Sequence, residues 1–239
     1  MDTSQNPKHQ TFFNKHNDDI ISMAWSEDKS TMFTGEMGAK PTIYQWASDG
    51  SMIQSYKGVK KGVSAIGVNS EYMVAAGLDD NHYVYLFMVS SGKLINSEKG
   101  GRDVIIDLKW IDEDNFVSIG VKHYKYWTMN GKQIKGKTGI FGKNCNILCC
   151  VAVKGSKAYV GASDGSLQIW SGNSCSKNVK VHMRAIHAIS LTKNMILTGS
   201  SDETIKIISF DGLEVVNTIE CAKLFSNSVN GAIRAVDVW

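Results

Sequence analysis

The sequence has little proline and no long apolar run, and each shortage excludes a class of protein. Only 2 of its 239 residues are proline, against 22 glycines, so tight turns must depend on glycine, as β-hairpin turns do. No apolar run approaches the roughly 18 residues of a membrane-spanning helix. The first ten residues, MDTSQNPKHQ, lack the apolar core of a secretory signal. We therefore expect a globular cytoplasmic protein with no membrane partner.

Cysteine is scarce, and its spacing is irregular. The five cysteines are Cys145, Cys149, Cys150, Cys175 and Cys221. Their number is odd, and their spacing is not that of a disulfide framework. Both features favour a reducing compartment. A structural zinc site needs two close ligand pairs, whereas Cys149 and Cys150 would point to opposite faces of one strand. The sequence therefore predicts buried thiols, no metal site and no cofactor.

The chain repeats itself about every 40 residues. Five short strand-like runs close on residues that are 41, 40, 43 and 38 positions apart: Trp46, Phe87, Trp127, Trp170 and Ile208. A glycine ends the run before each of them: Gly35, Gly77, Gly120, Gly161 and Gly199. A period near 40 with a strand-terminal tryptophan predicts an all-β fold, a β-propeller of the WD-repeat type.

Each repeat has the pattern of four strands, with Asp-Gly or Asn-Gly turns at Asp49, Asn130 and Asp211 before the fourth. The count predicts five four-stranded blades, at residues 15–57, 58–99, 100–143, 144–180 and 181–226. A leader or strand remnant at 1–14, including Thr11 to Phe13, precedes them. Residues 227–239 would start a further blade with one extra strand, Ile233 to Val238. Because seven blades need on the order of 290 residues, we expect an incomplete ring.

Histidine and aspartate recur at fixed places in these repeats. WD repeats use such residues, with a Ser or Thr and the closing Trp, in a buried hydrogen-bond chain that locks a blade, and such a chain stabilises only when every member is satisfied. In the first two repeats Lys40 and Asn81 take the aspartate position, which makes the repeats degenerate. We assign a structural, blade-locking role to His16, Trp46, Trp127, Asp164, Trp170, His182 and Asp202.

Several irregular segments resemble the first propeller of the echinoderm microtubule-associated-protein-like family. They include HNDDIISMAW from His16, SIGVKHYKYWTMNG from Ser118 and KTGIFGKNCNILCCVAV from Lys137. The likeness covers nearly the whole chain, from about His16 to Val238. Members of that family carry tandem atypical propellers and associate with tubulin and microtubules, so the resemblance implies a cytoskeletal scaffold. The family's linking motif, basic amino-terminal region and second propeller have no counterpart in this sequence.

Charge is unevenly distributed along the chain. Asn115 to Ser163 contains eight lysines and no acidic residue, a local charge of +8, whereas the net charge is +3 and the rest of the chain therefore carries −5. Such a basic sector predicts an acidic partner, and tubulin is acidic. The candidate contact residues are Lys122, Lys125, Lys132, Lys135, Lys137 and Lys143. Solvated lysines on surface strands are the alternative, which would leave a general protein-interaction adaptor without tubulin affinity.

Two motifs suggest other functions. Gly131 to Thr138 match the phosphate-binding pattern GxxxxGK[ST], which requires a helix after it, but the repeat places an outer fourth strand there. The run His123 to Trp127 interleaves aromatic residues with lysine, as single-strand nucleic-acid platforms do, but strand alternation explains it equally. A nucleotide-binding protein is thus a distant third hypothesis. We predict no catalytic residue, no enzyme activity and no nucleic-acid partner.

Overall fold

The computed structural model describes residues 15–140, 147–221 and 231–237. Within these residues, twenty β-strands form five four-stranded antiparallel sheets, each made of consecutive strands. The predicted all-β fold is confirmed. We call the sheets blades 1 to 5 in chain order. Among the described residues, no helix is long and apolar enough to cross a membrane.

The strand bounds are as follows. Blade 1 contains β1 Ile20–Trp25, β2 Thr31–Glu36, β3 Thr42–Ala47 and β4 Met52–Lys57. Blade 2 contains β5 Val63–Val68, β6 Tyr72–Gly77, β7 Val84–Met88 and β8 Leu94–Glu98. Blade 3 contains β9 Ile105–Trp110, β10 Asn115–Gly120, β11 His123–Asn130 and β12 Gln133–Thr138. Blade 4 contains β13 Leu148–Lys154, β14 Lys157–Ala162, β15 Ser166–Ser171 and β16 Ser174–Lys180. Blade 5 contains β17 Ile186–Leu191, β18 Met195–Ser200, β19 Thr204–Ser209 and β20 Val215–Glu220.

Two of the repeated glycines let neighbouring blades approach closely. A Cβ on Gly35 would lie 2.7 Å from the Cβ of Val63, which begins blade 2, and one on Gly161 would lie 2.8 Å from the Cβ of Ile186, which begins blade 5. Real Cβ atoms do not tolerate such contacts, so a larger residue would push the next blade outward. Close packing against the next blade therefore explains the glycine at these two positions, whereas Cβ atoms on Gly77 and Gly120 would meet atoms of their own blade.

The core lies between the blades. Four apolar clusters fill the four blade boundaries, and each takes its side chains from two adjacent sheets. Trp127 is fully buried in the cluster between blades 2 and 3, and Trp170 is buried between blades 3 and 4. Because burial of apolar surface contributes roughly 25 cal/mol per Å², the closing aromatics stabilise the boundaries as well as their own sheets.

The ring is not closed in the part of the chain that the structure describes. Strand β1 of blade 1 exposes Met23 to 61% and Trp25 to 52%, whereas Val63, Ile105, Leu148 and Ile186 of the other first strands are buried. At the other end, β20 exposes Val216 to 59%. Both ends therefore present apolar side chains that no described blade covers.

The expected extra strand is found only in part. Residues 231–237 form no regular strand, yet the backbone N–H of Ile233 donates to the carbonyl of Ser200 at 3.0 Å. A Cβ on Gly199 would meet Ile233 as one on Gly161 would meet Ile186. The segment thus lies where a next blade would begin, but the described residues supply no second strand to pair with it. Thr11 to Phe13 and Val238 lie outside the described residues.

Candidate functional site

Blade 1 contains a chain of hydrogen bonds through Thr34. The indole N–H of Trp46 donates to Thr34 Oγ1 at 2.7 Å, and His16 Nε2 lies 2.7 Å from the same oxygen. Since Thr34 accepts from Trp46, its own proton is available for His16 Nε2. The other ring nitrogen, Nδ1, then donates to Glu36 Oε2 at 2.8 Å. Every polar atom in this hydrogen-bond chain has a partner. This is the condition under which such a network stabilises a blade.

Blade 3 builds a comparable chain with its histidine in a different place. Trp127 Nε1 donates to Ser118 Oγ at 2.8 Å, and His123 Nε2 lies 2.7 Å from that oxygen. His123 is the first residue of β11, whereas His16 precedes blade 1. Burial lowers the pKa of His123 to about 4, with further lowering by nearby Lys125. The imidazole is therefore neutral at physiological pH and accepts the proton of Ser118.

Blade 5 retains the histidine and aspartate but not the tryptophan. His182 Nδ1 lies 3.0 Å from Asp202 Oδ2, and His182 Nε2 lies 2.8 Å from Thr198 Oγ1. Burial lowers the pKa of His182 and outweighs the attraction of Asp202. For Asp202, burial alone would raise the pKa, but hydrogen bonds led by that from Thr204 bring it down to about 2.

Blade 4 uses its predicted residues separately. Asp164 is exposed, and its Oδ1 accepts hydrogen bonds from the backbone N–H and the hydroxyl of Ser166 at 2.9 and 2.6 Å. Trp170 is buried, and its indole N–H donates to Gln168 Oε1 at 3.1 Å. The indole of Trp170 stacks on Tyr124 of blade 3, with 3.8 Å between ring centroids. Trp170 thus joins two blades, and Asp164 orders a turn.

In blades 1 and 2 the carboxylates differ from the positions that repeat counting suggested. Glu36, not Lys40, stands beside His16, and Glu36 also accepts the backbone N–H of Thr42 at 2.9 Å. In blade 2, buried Asp79 accepts the Tyr85 hydroxyl at 3.2 Å, and the backbone N–H of Asn81 donates to the same carboxylate. Counting back from the closing residue misses both, because the turn between second and third strands varies in length between blades.

The predicted basic residues do not form one patch. Lys132 lies in the turn before β12, and Lys135 and Lys137 lie on β12, the outer strand of blade 3; all three are exposed. Lys135 and Lys137 are two residues apart on the strand, so both side chains project from the same face, about 7 Å apart. Ile134 projects from the opposite face and is buried against blade 2. We call the surface formed by Lys132, Lys135 and Lys137 the basic strand.

The other predicted lysines lie apart from this basic strand. Lys125 Nζ lies 5.1 Å from the ring centroid of Trp127 and donates to the carbonyl of Lys99 at 3.1 Å. It therefore sits on the Trp127 side of β11, away from Lys135 and Lys137. Lys122 is in the turn between β10 and β11, at the opposite end of the sheet from Lys132. Lys143 lies outside the described residues.

The other two motifs belong to the propeller framework. His123, Tyr124 and Trp127 are buried, so their rings are unavailable for stacking on bases. Gln133–Thr138, the last six of the eight residues that match GxxxxGK[ST], is paired along its length with β11. Its backbone amides lie in a strand rather than at the start of a helix, where a phosphate cradle forms. Neither motif has the geometry that its function requires.

Within the described ranges, no group of three or more His, Cys, Asp or Glu side chains is placed to hold a metal ion. Cys150 is buried and Cys149 is half-buried, and burial raises the pKa of both thiols. Cys145 lies outside the described residues. Neither Cys149 nor Cys150 has the lowered pKa that makes a cysteine a good nucleophile or metal ligand at neutral pH.

Comparison with known proteins places these features in a family. The family model described as "Echinoderm microtubule-associated protein first beta-propeller" matches residues 9–237. The chain is 28% identical over 245 aligned positions to "Ciliary WD repeat-containing protein ctxp80" of Euplotoides octocarinatus, covering 93% of this chain and 34% of that protein. It is 23% identical to the "77 kDa echinoderm microtubule-associated protein" of Strongylocentrotus purpuratus, covering 70% of this chain and 26% of that protein.

A solved structure agrees with the fold. The structure "RRP9 WD40 repeats" superposes with a TM-score of 0.74 at 15% identity, covering 87% of this chain and 65% of that one. At that identity the likeness concerns the fold alone. The chain spans about a third of the ciliary relative and about a quarter of the echinoderm relative.

Proposed function

Because the chain belongs to the echinoderm microtubule-associated protein first-propeller family, we propose that it is a non-enzymatic scaffold that binds tubulin or microtubules. The contact surface in this proposal is the basic strand formed by Lys132, Lys135 and Lys137. The proposal places the protein in the cytoplasm, on the cytoskeleton.

The observation that carries the proposal is the exposure of these three lysines on the outer strand β12 and in the turn before it. Lys135 and Lys137 share a face, and Lys132 precedes them in the turn. No acidic residue occurs between Asn115 and Ser163, so no sequence neighbour neutralises them. A flat row of ammonium groups complements an acidic protein surface, and such a row acts mainly through long-range attraction and faster association.

The name of one relative supports the choice of partner. The Strongylocentrotus purpuratus protein is called a microtubule-associated protein. The buried closing aromatics and the satisfied hydrogen-bond chains of blades 1 and 3 support a structural role for the repeats, because these residues are used within the sheets. A scaffold that presents one charged strand accounts for both sets of features.

Co-sedimentation with microtubules tests the proposal. Binding should weaken as salt rises, because exposed charges are screened over about 8 Å at physiological ionic strength. Changing Lys132, Lys135 and Lys137 together to Glu should abolish most of the bound fraction at low salt. The pellet fraction would be compared for the wild-type chain and the variant across a salt series.

A matched control separates position from net charge. Lys57, Lys60 and Lys93 are also exposed, and they lie in blades 1 and 2 and the loop between them. Their combined change to Glu shifts the net charge from +3 to −3, as the first triple change does. The control variant should still co-sediment. If both variants lose binding equally, or neither does, the basic strand is a solvated face rather than the contact surface. A wild-type chain that does not co-sediment even at low salt would instead favour a general interaction adaptor without tubulin affinity.

A further inference from the structure

The turns between the first and second strands of blades 1, 2 and 3 enclose a groove. Three adjoining hollows, of about 710, 490 and 220 Å³, all contain Asn69 and Ser70 of blade 2 in their walls. The largest extends from Ala24 of blade 1 to Asn115 of blade 3. The hollows therefore form one continuous depression across three blades, which we call the turn groove.

The turn groove is strongly acidic. One lysine, Lys109, is among its lining residues, together with six acidic residues: Glu27, Asp28, Glu71, Asp112, Glu113 and Asp114. The corresponding turns of blades 4 and 5 have positive charge instead: Lys154 and Lys157 flank the blade 4 turn, and Lys193 lies in the blade 5 turn. The negative charge is thus confined to the three blades that form the depression.

Two of these carboxylates order the turns and leave others free. Asp28 Oδ1 accepts from the hydroxyl groups of Ser26 and Ser30 at 2.6 and 2.8 Å. Asp112 Oδ1 accepts from the backbone N–H groups of Asp114 and Asn115 at 3.0 and 2.8 Å.

The remaining carboxylates are available to a ligand. Within the described part of the chain, the side-chain carboxylates of Glu27, Glu71, Glu113 and Asp114 have no hydrogen bond or ion pair. Rigid turns therefore present free carboxylates along the groove.

An aromatic wall completes the groove. Trp110 lines the largest hollow, and its indole N–H donates to the carbonyl of Gly67 at 3.2 Å. The indole also packs against Phe116, with 5.0 Å between ring centroids. These contacts fix the ring in the boundary between blades 2 and 3. A fixed indole beside carboxylates is a favourable environment for the ammonium or guanidinium group of a ligand.

We propose that the turn groove binds an extended, lysine- or arginine-rich segment of a protein partner. The groove has the length for several residues, free carboxylates for the charged ends and an indole for the side-chain stems. This surface is distinct from the basic strand, which attracts an acidic partner. The two surfaces meet near Gly131, which lines the groove and precedes Lys132.

Fluorescence anisotropy with a short labelled peptide of alternating lysine and serine tests this proposal. The wild-type chain should bind it, and a peptide of alternating glutamate and serine should not bind. Changing Glu27 and Glu113 to Gln and Asp114 to Asn should weaken binding about 10-fold, the effect of three exposed charge pairs. Glu98→Gln, Glu214→Gln and Asp211→Asn remove the same charges at exposed sites outside the groove and should leave affinity nearly unchanged.

Circular dichroism would establish that each variant is folded. If the triple groove variant unfolds, Glu113→Gln alone provides the measurement, with Glu98→Gln as its control. Equal loss in the groove and control variants would overturn the proposal, because binding would then follow net charge. Unchanged affinity in the folded groove variant, or binding of the glutamate peptide, would overturn it too. Microtubule co-sedimentation of the groove variant should not fall, because the variant keeps the basic strand and loses only negative charge, so this proposal and the proposed function fail independently.

Discussion

His123 Nε2 lies 2.7 Å from Ser118 Oγ, across the pair formed by β10 and β11 of blade 3. In blade 1 the histidine of the equivalent chain comes from the segment before the sheet, as His16. The two blades thus satisfy a Trp and a Ser or Thr in the same way, with a histidine from the segment before the sheet in blade 1 and from β11 in blade 3. The hydrogen-bond chain, rather than a fixed sequence position, is what the blades share.

Protonation of His123 should destabilise the fold. Its pKa is about 4 in the folded chain against an ordinary 6.5, so the folded state favours the neutral ring. The stability it contributes is fully present above pH 6.5 and is lost as the pH falls from 6.5 towards 4, by about 3 kcal/mol in all. Urea denaturation across this pH range measures it.

The matching variant is His123→Gln, which can still accept from Ser118 but does not titrate. It should lose stability less steeply between pH 6.5 and 4 than the wild-type chain does. His182 and His187, whose pKa values burial also lowers, continue to titrate in it. An identical pH slope in both proteins would contradict the assigned role of His123.

Removing the central hydroxyl of the blade 1 chain should also destabilise the protein. Thr34→Val keeps the shape of the side chain but leaves the Trp46 N–H without its acceptor and His16 Nε2 without its donor. We expect a loss of about 1–3 kcal/mol, the cost of unsatisfied buried polar groups. The control is Thr218→Val, on the exposed outer strand of blade 5, which should change the denaturation midpoint little. Equal effects of the two variants would show that the hydrogen-bond chain of blade 1 contributes nothing specific to stability.

Trp170→Ala should remove the stack between blades 3 and 4. The indole is buried and lies on Tyr124, so the loss combines transfer free energy with a cavity, about 3–5 kcal/mol. Trp25→Ala is the control, since Trp25 is 52% exposed. Equilibrium denaturation should rank the two variants clearly, and comparable losses would place Trp170 outside the core.

The uncovered ends of the blade series should promote association. Met23 on β1 and Val216 on β20 are more than half exposed, and exposed apolar strands at an open end favour contacts between chains. The paired change Met23→Lys and Val216→Lys should reduce concentration-dependent association in sedimentation velocity without lowering the denaturation midpoint. A wild-type chain that stays monomeric at every concentration would refute this expectation.

The sequence by itself determined the architecture. The 40-residue period, the repeated glycines and the closing aromatics predicted four-stranded blades, because strand length, turn chemistry and blade packing each require particular residue types at regular intervals. The sequence also carried the family resemblance, through irregular segments such as that around His123. These properties are local or periodic, so a linear chain displays them.

Only the tertiary structure decided which side chains meet. Glu36, Asp79, Ser118 and Thr198 are ordinary polar residues in the sequence, and they become network members because strand pairing, or for Asp79 the turn after β6, brings them beside a buried ring. The predicted row of lysines was divided because Lys125 and Lys135 project from opposite faces of their sheet. The turn groove exists because three turns, each about 40 residues from the next, come together at one end of adjacent blades. Distances between residues far apart in the chain follow from packing, and no local pattern specifies them.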